Sequence, residues 1–145
     1  LPATLPGLLI DLPGANARLL AGLAHPEQAA TMTRYWPLLA PALEAGEILN
    51  ATVANMRFVK PLDHALVREL AVGHDLLVTL EENAVIGGAG AEVSRSLEEQ
   101  GLTTRLLRLG LPDRFTEHGD SVTLLAQLGL DARSIAERVK RAILE

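Results

Sequence analysis

The chain has 145 residues, a formal net charge of −5, no cysteine and only 3% aromatic residues. Its length suits a single domain whose core must be built from Leu, Val, Ala and Ile. The acidic balance argues against nucleic-acid phosphates as partners. The absence of cysteine excludes disulfides, thiolate metal sites and cysteine nucleophiles, and fits a cytoplasmic location.

The first quarter of the chain, Leu1–Trp36, differs from the rest. It holds four of the eight prolines and very few charges. No period of 2 or 3.6 residues lasts beyond about a dozen residues, and no apolar stretch reaches the length of a membrane span. We therefore expect residues 1–36 to be an irregular or non-homologous leader and residues 37–145 to be the domain. Because the chain starts with Leu1 rather than Met, we interpret it as a fragment or a processed piece.

The domain opens with a helix, a strand and a second helix. Apolar positions predict a helix over Pro37–Leu49, with Leu38, Leu39, Ala42, Leu43 and Ile48 on its inner side. The next stretch, Ala51–Phe58, has the composition of a strand and is ended by Pro61. A helix over His64–Val72 follows, and Asp63 is its expected N-cap.

The middle of the chain reads as strand, polar elbow, glycine turn and helix. An uncharged run, Leu76–Leu80, predicts a buried strand. Behind it come Glu81, Glu82 and Asn83, then three glycines at 87, 88 and 90, and then a helix over Ala91–Gln100. Leu alternates with Thr or Arg in Thr103–Leu109, which predicts a further strand, and Gly110–Asp113 is a turn signal.

Two helices close the chain: one is capped by Asp120 or Ser121 and runs through Leu128, and the other spans Ala132–Leu144 and is capped by Asp131. Strands that alternate with helices predict an α/β domain with a mostly parallel sheet and helices on both faces. Three strands make a thin sheet, so we expect a fourth before Pro37, for which Ala29–Trp36 is the candidate. A sheet that lacked this strand would expose apolar surface and favour self-association.

The candidate site residues each allow two interpretations. Glu81 and Glu82 are neighbours on a strand and point to opposite faces, so they cannot act as a paired acid and base. They either reach a domain or dimer surface or hydrogen-bond backbone amides as caps. Gly87, Gly88 and Gly90 either cradle a phosphate on helix amides or allow close helix–strand packing.

The histidine with the most promising surroundings is His118, which lies between Glu117 and Gly119. A histidine beside a carboxylate can transfer a proton or bind a metal, but no second ligand or nucleophile stands in a fixed relation to it. A hydrogen-bonding role at a domain surface is the simpler interpretation. We predict no catalytic, cofactor-binding or metal-binding residue in this chain.

Three segments in the same order resemble one family. They are Met56–Asp63 (MRFVKPLD), Leu80–Asn83 (LEEN) with Gly87–Gly90 (GGAG), and Gly110–Asp113 (GLPD) with Glu117–Gly119 (EHG). They resemble the C-terminal domain of 1-deoxy-D-xylulose-5-phosphate synthase, a member of the transketolase superfamily. The resemblance runs from about Leu38 to Leu144.

The resemblance implies a three-layer transketolase C-terminal-like fold. It implies a parent enzyme, a transferase, that condenses pyruvate with D-glyceraldehyde 3-phosphate, releases CO2 and serves isoprenoid and thiamine biosynthesis. That enzyme uses thiamine diphosphate and Mg²⁺, held by domains that precede this one. The isolated domain is then inactive and serves contacts with a homodimer partner or with the remaining domains. Residues 81–83, 87, 88, 90 and 118 are the candidate contact residues, and no nucleic acid or membrane is expected as a partner.

The region before Trp36 departs from the family, which has a hydrophobic strand and a glycine turn there. A reading-frame change near Trp36, or a diverged or fused leader, would each explain the difference. Two further functions stay open: a stand-alone association module without chemistry, and the C-terminal domain of a 2-oxoacid dehydrogenase β subunit. The first and last of the three segments favour the synthase over the dehydrogenase.

Overall fold

The computed structural model of the chain describes residues 7–12, 38–56, 60–115 and 118–145. These contain four strands and five helices. The strands are β1 (Gly7–Leu12), β2 (Thr52–Asn55), β3 (Leu76–Ala84) and β4 (Arg105–Leu111). The helices are α1 (Leu39–Leu49), α2 (His64–Gly73), α3 (Ala89–Glu99), α4 (Ser121–Gln127) and α5 (Ala132–Leu144).

The four strands form one parallel sheet in the order β2-β1-β3-β4. Two hydrophobic clusters cover its two faces. One contains the buried sides of α2 and α3 with Leu77 of β3, and the other contains those of α1, α4 and α5 with Leu76, Val78 and Leu80. The predicted three-layer α/β fold is therefore confirmed.

The strand β3 is buried on both faces through its first six residues. Successive side chains of a strand point to opposite faces, so Leu77, Thr79 and Glu81 face α2 and α3, while Leu76, Val78 and Leu80 face the other helices. This double burial explains the uncharged run that starts the strand, because a central parallel strand has no solvated side.

The fourth strand lies before Pro37, as predicted, but at a different position. It is β1, Gly7–Leu12, which lies between β2 and β3 in the sheet. The candidate Ala29–Trp36 falls outside the described residues. The expectation of an irregular leader is therefore wrong for Gly7–Leu12, whereas a domain boundary at residue 37 stays a prediction. The premise of a missing strand is also wrong, and self-association stays untested.

Three N-caps are confirmed: Asp63, Asp120 and Asp131 each accept a hydrogen bond from a backbone N–H in the first turn of α2, α4 and α5. Several bounds differ from the prediction: β2 ends at Asn55, within the predicted Ala51–Phe58, and α3 begins at Ala89 rather than Ala91, so Gly90 lies in the helix. The strand β3 continues through Glu81, Glu82 and Asn83, where an elbow was expected, and β4 continues through Gly110 and Leu111, where a turn was expected.

The two strands extend because they pair again beyond a register shift. Regular pairing runs to Leu80 and Leu109, and Ala84 then pairs with Leu111. The N–H of Val85 also donates to the carbonyl of Leu111 at 3.1 Å. One further expectation is wrong: Ile48 is 53% exposed and does not belong to the inner side of α1.

Candidate functional site

The carboxylate of Glu81 lies under the N-terminus of α3. The side chain is fully buried, and its two oxygens accept hydrogen bonds from backbone amides. Ala89 N–H donates to Oε1 at 3.1 Å and Gly90 N–H to Oε2 at 2.6 Å. A carboxylate at this position satisfies amides that have no partner inside the helix and also interacts favourably with the helix dipole. Glu81 therefore fixes the start of α3 on the strand end.

Three glycines leave room for the Glu81 side chain. A Cβ at Gly88 would overlap Glu81 Oε1 and the carbonyl oxygen of Ala84. A Cβ at Gly90 would lie 2.5 Å from Thr79 Oγ1 and 3.0 Å from Glu81 Oε2, and one at Gly110 would lie 2.8 Å from Glu81 Cγ. These glycines are required by close packing, and Gly87 is required by its backbone, because its φ is +70°.

Charge and burial act against each other at Glu81. Burial raises the pKa of its carboxyl group above the ordinary value. The hydrogen bonds from Gly90 and Ala89 and the positive charge of Arg108 on the neighbouring strand lower the pKa and offset part of that effect. The buried Thr79 hydroxyl lies on the same face and makes no hydrogen bond within the described part of the chain.

Glu82 performs the same task on the opposite face of the sheet. Its Oε1 accepts a hydrogen bond from the N–H of Leu38 at 3.0 Å, directly before α1. Leu38 has no side-chain oxygen that could cap the helix, and Glu82 satisfies the N–H of this N-cap residue itself, as the glutamate of a capping box does. Two consecutive glutamates thus hold two helix N-termini on the two sides of the sheet.

These hydrogen bonds confirm the capping interpretation of the carboxylates, whereas their role in a domain or dimer contact stays a prediction. The strand persists through both residues, so Glu81 and Glu82 point to opposite faces, and both accept from backbone amides in the way of caps. They do not form an acid–base pair. The same hydrogen bonds engage Ala89 and Gly90, two of the amides that a phosphate would need at the start of α3.

The end of β3 and the segments beside it form an open surface with two shallow cavities. One, of about 640 Å³, is lined in part by Asn83, Ile86 and Gly87. The other, of about 510 Å³, is lined by Pro112 and Phe115 among others. Both cavities include Ala84, so they adjoin each other. We call Asn83, Ile86, Pro112 and Phe115 the carboxyl-edge surface.

The predicted contact residues divide between the interior and this surface. Glu81 is buried, and so is Gly90, whose N–H donates to it. Asn83 and Gly87 are exposed and line the larger cavity. His118 is exposed in the segment before α4, while its neighbour Glu117 lies outside the described residues.

Sequence reasoning missed Gly110, Ile86 and Phe115. A glycine inside a strand pattern signals close approach of another group, which was the available signal for Gly110. Ile86 precedes the glycines in a turn, where an apolar side chain has no helix or strand to bury it. Ile86 is 73% exposed, and Phe115 is more exposed than a reference Phe residue, at 106%.

The described ranges contain no cluster of three or more His, Asp or Glu that could hold a metal ion. With the first amides of α3 engaged by Glu81, the residues do not fit a metal-bound diphosphate. No helix within residues 7–12, 38–56, 60–115 and 118–145 is long and apolar enough to cross a membrane.

Relatives of known name match most of the chain. One relative is the 1-deoxy-D-xylulose-5-phosphate synthase from Thioalkalivibrio sulfidiphilus. It is 53% identical to this chain over 137 residues, which cover 93% of this chain and 21% of that protein. The synthase of the same name from Dechloromonas aromatica is 61% identical over 71% of this chain and 17% of its own length. The chain therefore spans about a fifth of these relatives. Because residues 37–145 are about three quarters of the chain, the longer alignment also includes part of residues 1–36.

A solved structure shares the fold. It is described as a split gene transketolase, an inactive β4 tetramer, and matches 95% of this chain and 39% of its own with a TM-score of 0.72 and 28% identity. The model of the family described as transketolase, C-terminal domain, matches residues 30–135. Fold, relatives and family model agree, and the chain belongs to the transketolase C-terminal domain family.

Proposed function

We propose that this chain is the C-terminal domain of a 1-deoxy-D-xylulose-5-phosphate synthase. The observation that carries the proposal is the high identity to synthases of that name over a fifth of their length. The parent enzyme would condense pyruvate with D-glyceraldehyde 3-phosphate, release CO2 and supply isoprenoid and thiamine biosynthesis in the cytoplasm. Its thiamine diphosphate and Mg²⁺ would be held by residues outside this chain.

In the enzyme, this domain would make contacts with other domains or subunits and would not take part in catalysis. Its two adjacent carboxylates are engaged with helix amides, and the described residues contain no metal cluster. A nucleophile, base and orienting group in mutual hydrogen-bond reach are what a catalytic site requires. The domain would instead pack against the remaining domains of its own chain or against a second chain in a homodimer.

The test compares the isolated chain with a chimera. In the chimera this chain replaces the aligned C-terminal segment of the Thioalkalivibrio sulfidiphilus synthase. Both are assayed with pyruvate, glyceraldehyde 3-phosphate, thiamine diphosphate and Mg²⁺. We expect turnover by the chimera and none by the isolated chain. Turnover by the isolated chain, or a folded chimera without activity, would contradict the proposal.

A further inference from the structure

The carboxyl-edge surface combines exposed apolar side chains with neighbouring charged side chains of both signs. Six large hydrophobic side chains are exposed within the described ranges, and two of them, Ile86 and Phe115, lie here. The residues around them include Lys60 and Arg95 on one side and Asp113 and Arg114 on the other. Exposed apolar side chains bordered by polar groups are typical of a protein–protein contact.

The charges argue against other kinds of ligand. Arg95 already pairs with Glu92 and Glu99, which lie on the same helix. Asp113 and Arg114 carry opposite charges on adjacent residues. With no charge of one sign prevailing, the surface does not favour a phosphate-rich polymer or an anionic membrane.

The size of the surface argues for a partner that is covalently linked. An exposed aromatic side chain offers about 150–250 Å², so Phe115 and Ile86 together offer roughly 300 Å² of apolar area. A stable complex of separate chains buries about 800 Å² on each partner, of which roughly 450 Å² is apolar. A contact inside one polypeptide works with less, because linkage gives the two surfaces a high effective concentration. The relatives are about five times longer than this chain, so such a neighbour is available to the domain in them.

We infer that the carboxyl-edge surface docks on an apolar patch of the preceding part of the same synthase polypeptide. Phe115 and Ile86 are buried by that contact, and Asn83 forms its polar border. This inference rests on the proposed function, and it assigns one face of the domain to the contact. The opposite edge of the sheet, where α2 ends beside the start of β3, stays free.

The test uses the absence of cysteine in this chain. Ile86→Cys and Phe115→Cys each introduce a single thiol at the surface, and Val72→Cys introduces one at the opposite edge. Val72 is the matched control, because it is 71% exposed and Ile86 is 73% exposed. The rate of maleimide labelling is measured by peptide mass spectrometry for the isolated chain and for the chimera.

We expect the thiols of Ile86→Cys and Phe115→Cys to react at least tenfold more slowly in the chimera than in the isolated chain. The thiol of Val72→Cys should react at the same rate in both. Protection of all three would point to general compaction and would overturn the inference. Protection that appears in the isolated chain as its concentration rises would assign the surface to a second copy instead.

Activity of the same chimera separates this inference from the proposed function. An active chimera whose thiols at 86 and 115 react as fast as in the isolated chain overturns the surface and leaves the proposed function standing. An inactive chimera with both thiols protected supports the contact while contradicting the proposed function. An inactive chimera with both thiols reactive contradicts both.

Discussion

Replacing Gly88 by alanine tests whether the glycines exist to make room for Glu81. The added Cβ would overlap both Glu81 Oε1 and the carbonyl oxygen of Ala84. The side chain could rotate away, but the carbonyl belongs to the backbone of β3 and cannot move by itself. The start of α3 must therefore shift away from the strand, which weakens the bonds from Ala89 and Gly90 to Glu81.

The expected loss of stability has two parts. Overpacking costs about 1–3 kcal/mol, and weakening one hydrogen bond to a carboxylate costs about 1.5–3 kcal/mol. Because the hydrogen bonds are weakened rather than lost, we expect Gly88→Ala to lower the free energy of unfolding by about 3 kcal/mol, near the lower end of the summed range. This corresponds to a fall in Tm of roughly 6–12 °C for a chain of this length.

The assay is urea unfolding followed by far-ultraviolet circular dichroism, with two control variants. Gly87→Ala places a Cβ in open space at a φ of +70° and should cost about 1–2 kcal/mol from backbone strain alone. Gly73→Ala has neither a neighbour within 4 Å nor a positive φ, so it should be neutral or stabilise by up to about 1 kcal/mol. If Gly88→Ala were no less stable than Gly87→Ala, the reasoning about the space around Glu81 would be refuted.

Three further variants test the carboxylates themselves. Burial raises the pKa of the Glu81 carboxyl group, so the folded protein binds a proton at this carboxyl more tightly than the unfolded chain does. The stability of the wild type relative to Glu81→Gln should therefore fall as the pH rises from about 4.5 through the higher folded pKa. Parallel curves of stability against pH for the two proteins would contradict this. Glu82→Ala removes the acceptor for the Leu38 amide, so it should lower the free energy of unfolding by about 0.5–1.5 kcal/mol and speed hydrogen exchange at that amide. Glu82→Gln keeps an acceptor and should preserve both the stability and the slow exchange. Equal exchange at Leu38 in all three proteins would contradict the assigned hydrogen bond.

Local patterns predicted most of this fold because helices and buried strands carry their own signals. The caps Asp63 and Asp131 stand directly before apolar stripes and were assigned correctly, and Asp120 was one of the two candidates for the third cap. The strand β1 was missed because Gly7–Leu12 is short and followed by Pro13. Its central place comes from pairing with β2 and β3, which lie about 40 to 70 residues further along the chain.

The candidate site was predictable in part for the same reason. Alternation along a strand was enough to place Glu81 and Glu82 on opposite faces. It could not identify their partners, because Leu38 lies 44 residues from Glu82 and is brought to it only by the packing of α1 on the sheet. The exposure of Phe115 was equally hidden, since an aromatic residue in a short connection is as readily interpreted as part of the core.

The paired glutamates have a consequence for how the domain opens. The start of α1 and the start of α3 are both tied to two consecutive residues of β3, so separating either helix from the sheet exposes a carboxylate whose neighbour holds the other helix. Local unfolding of the two outer layers should then be cooperative rather than independent. The amides of Leu38, Ala89 and Gly90 would then exchange with solvent as a single unit, although Leu38 is far from the other two in the chain. The contacts at the end of β3 would determine the free energy of local opening for both helix layers.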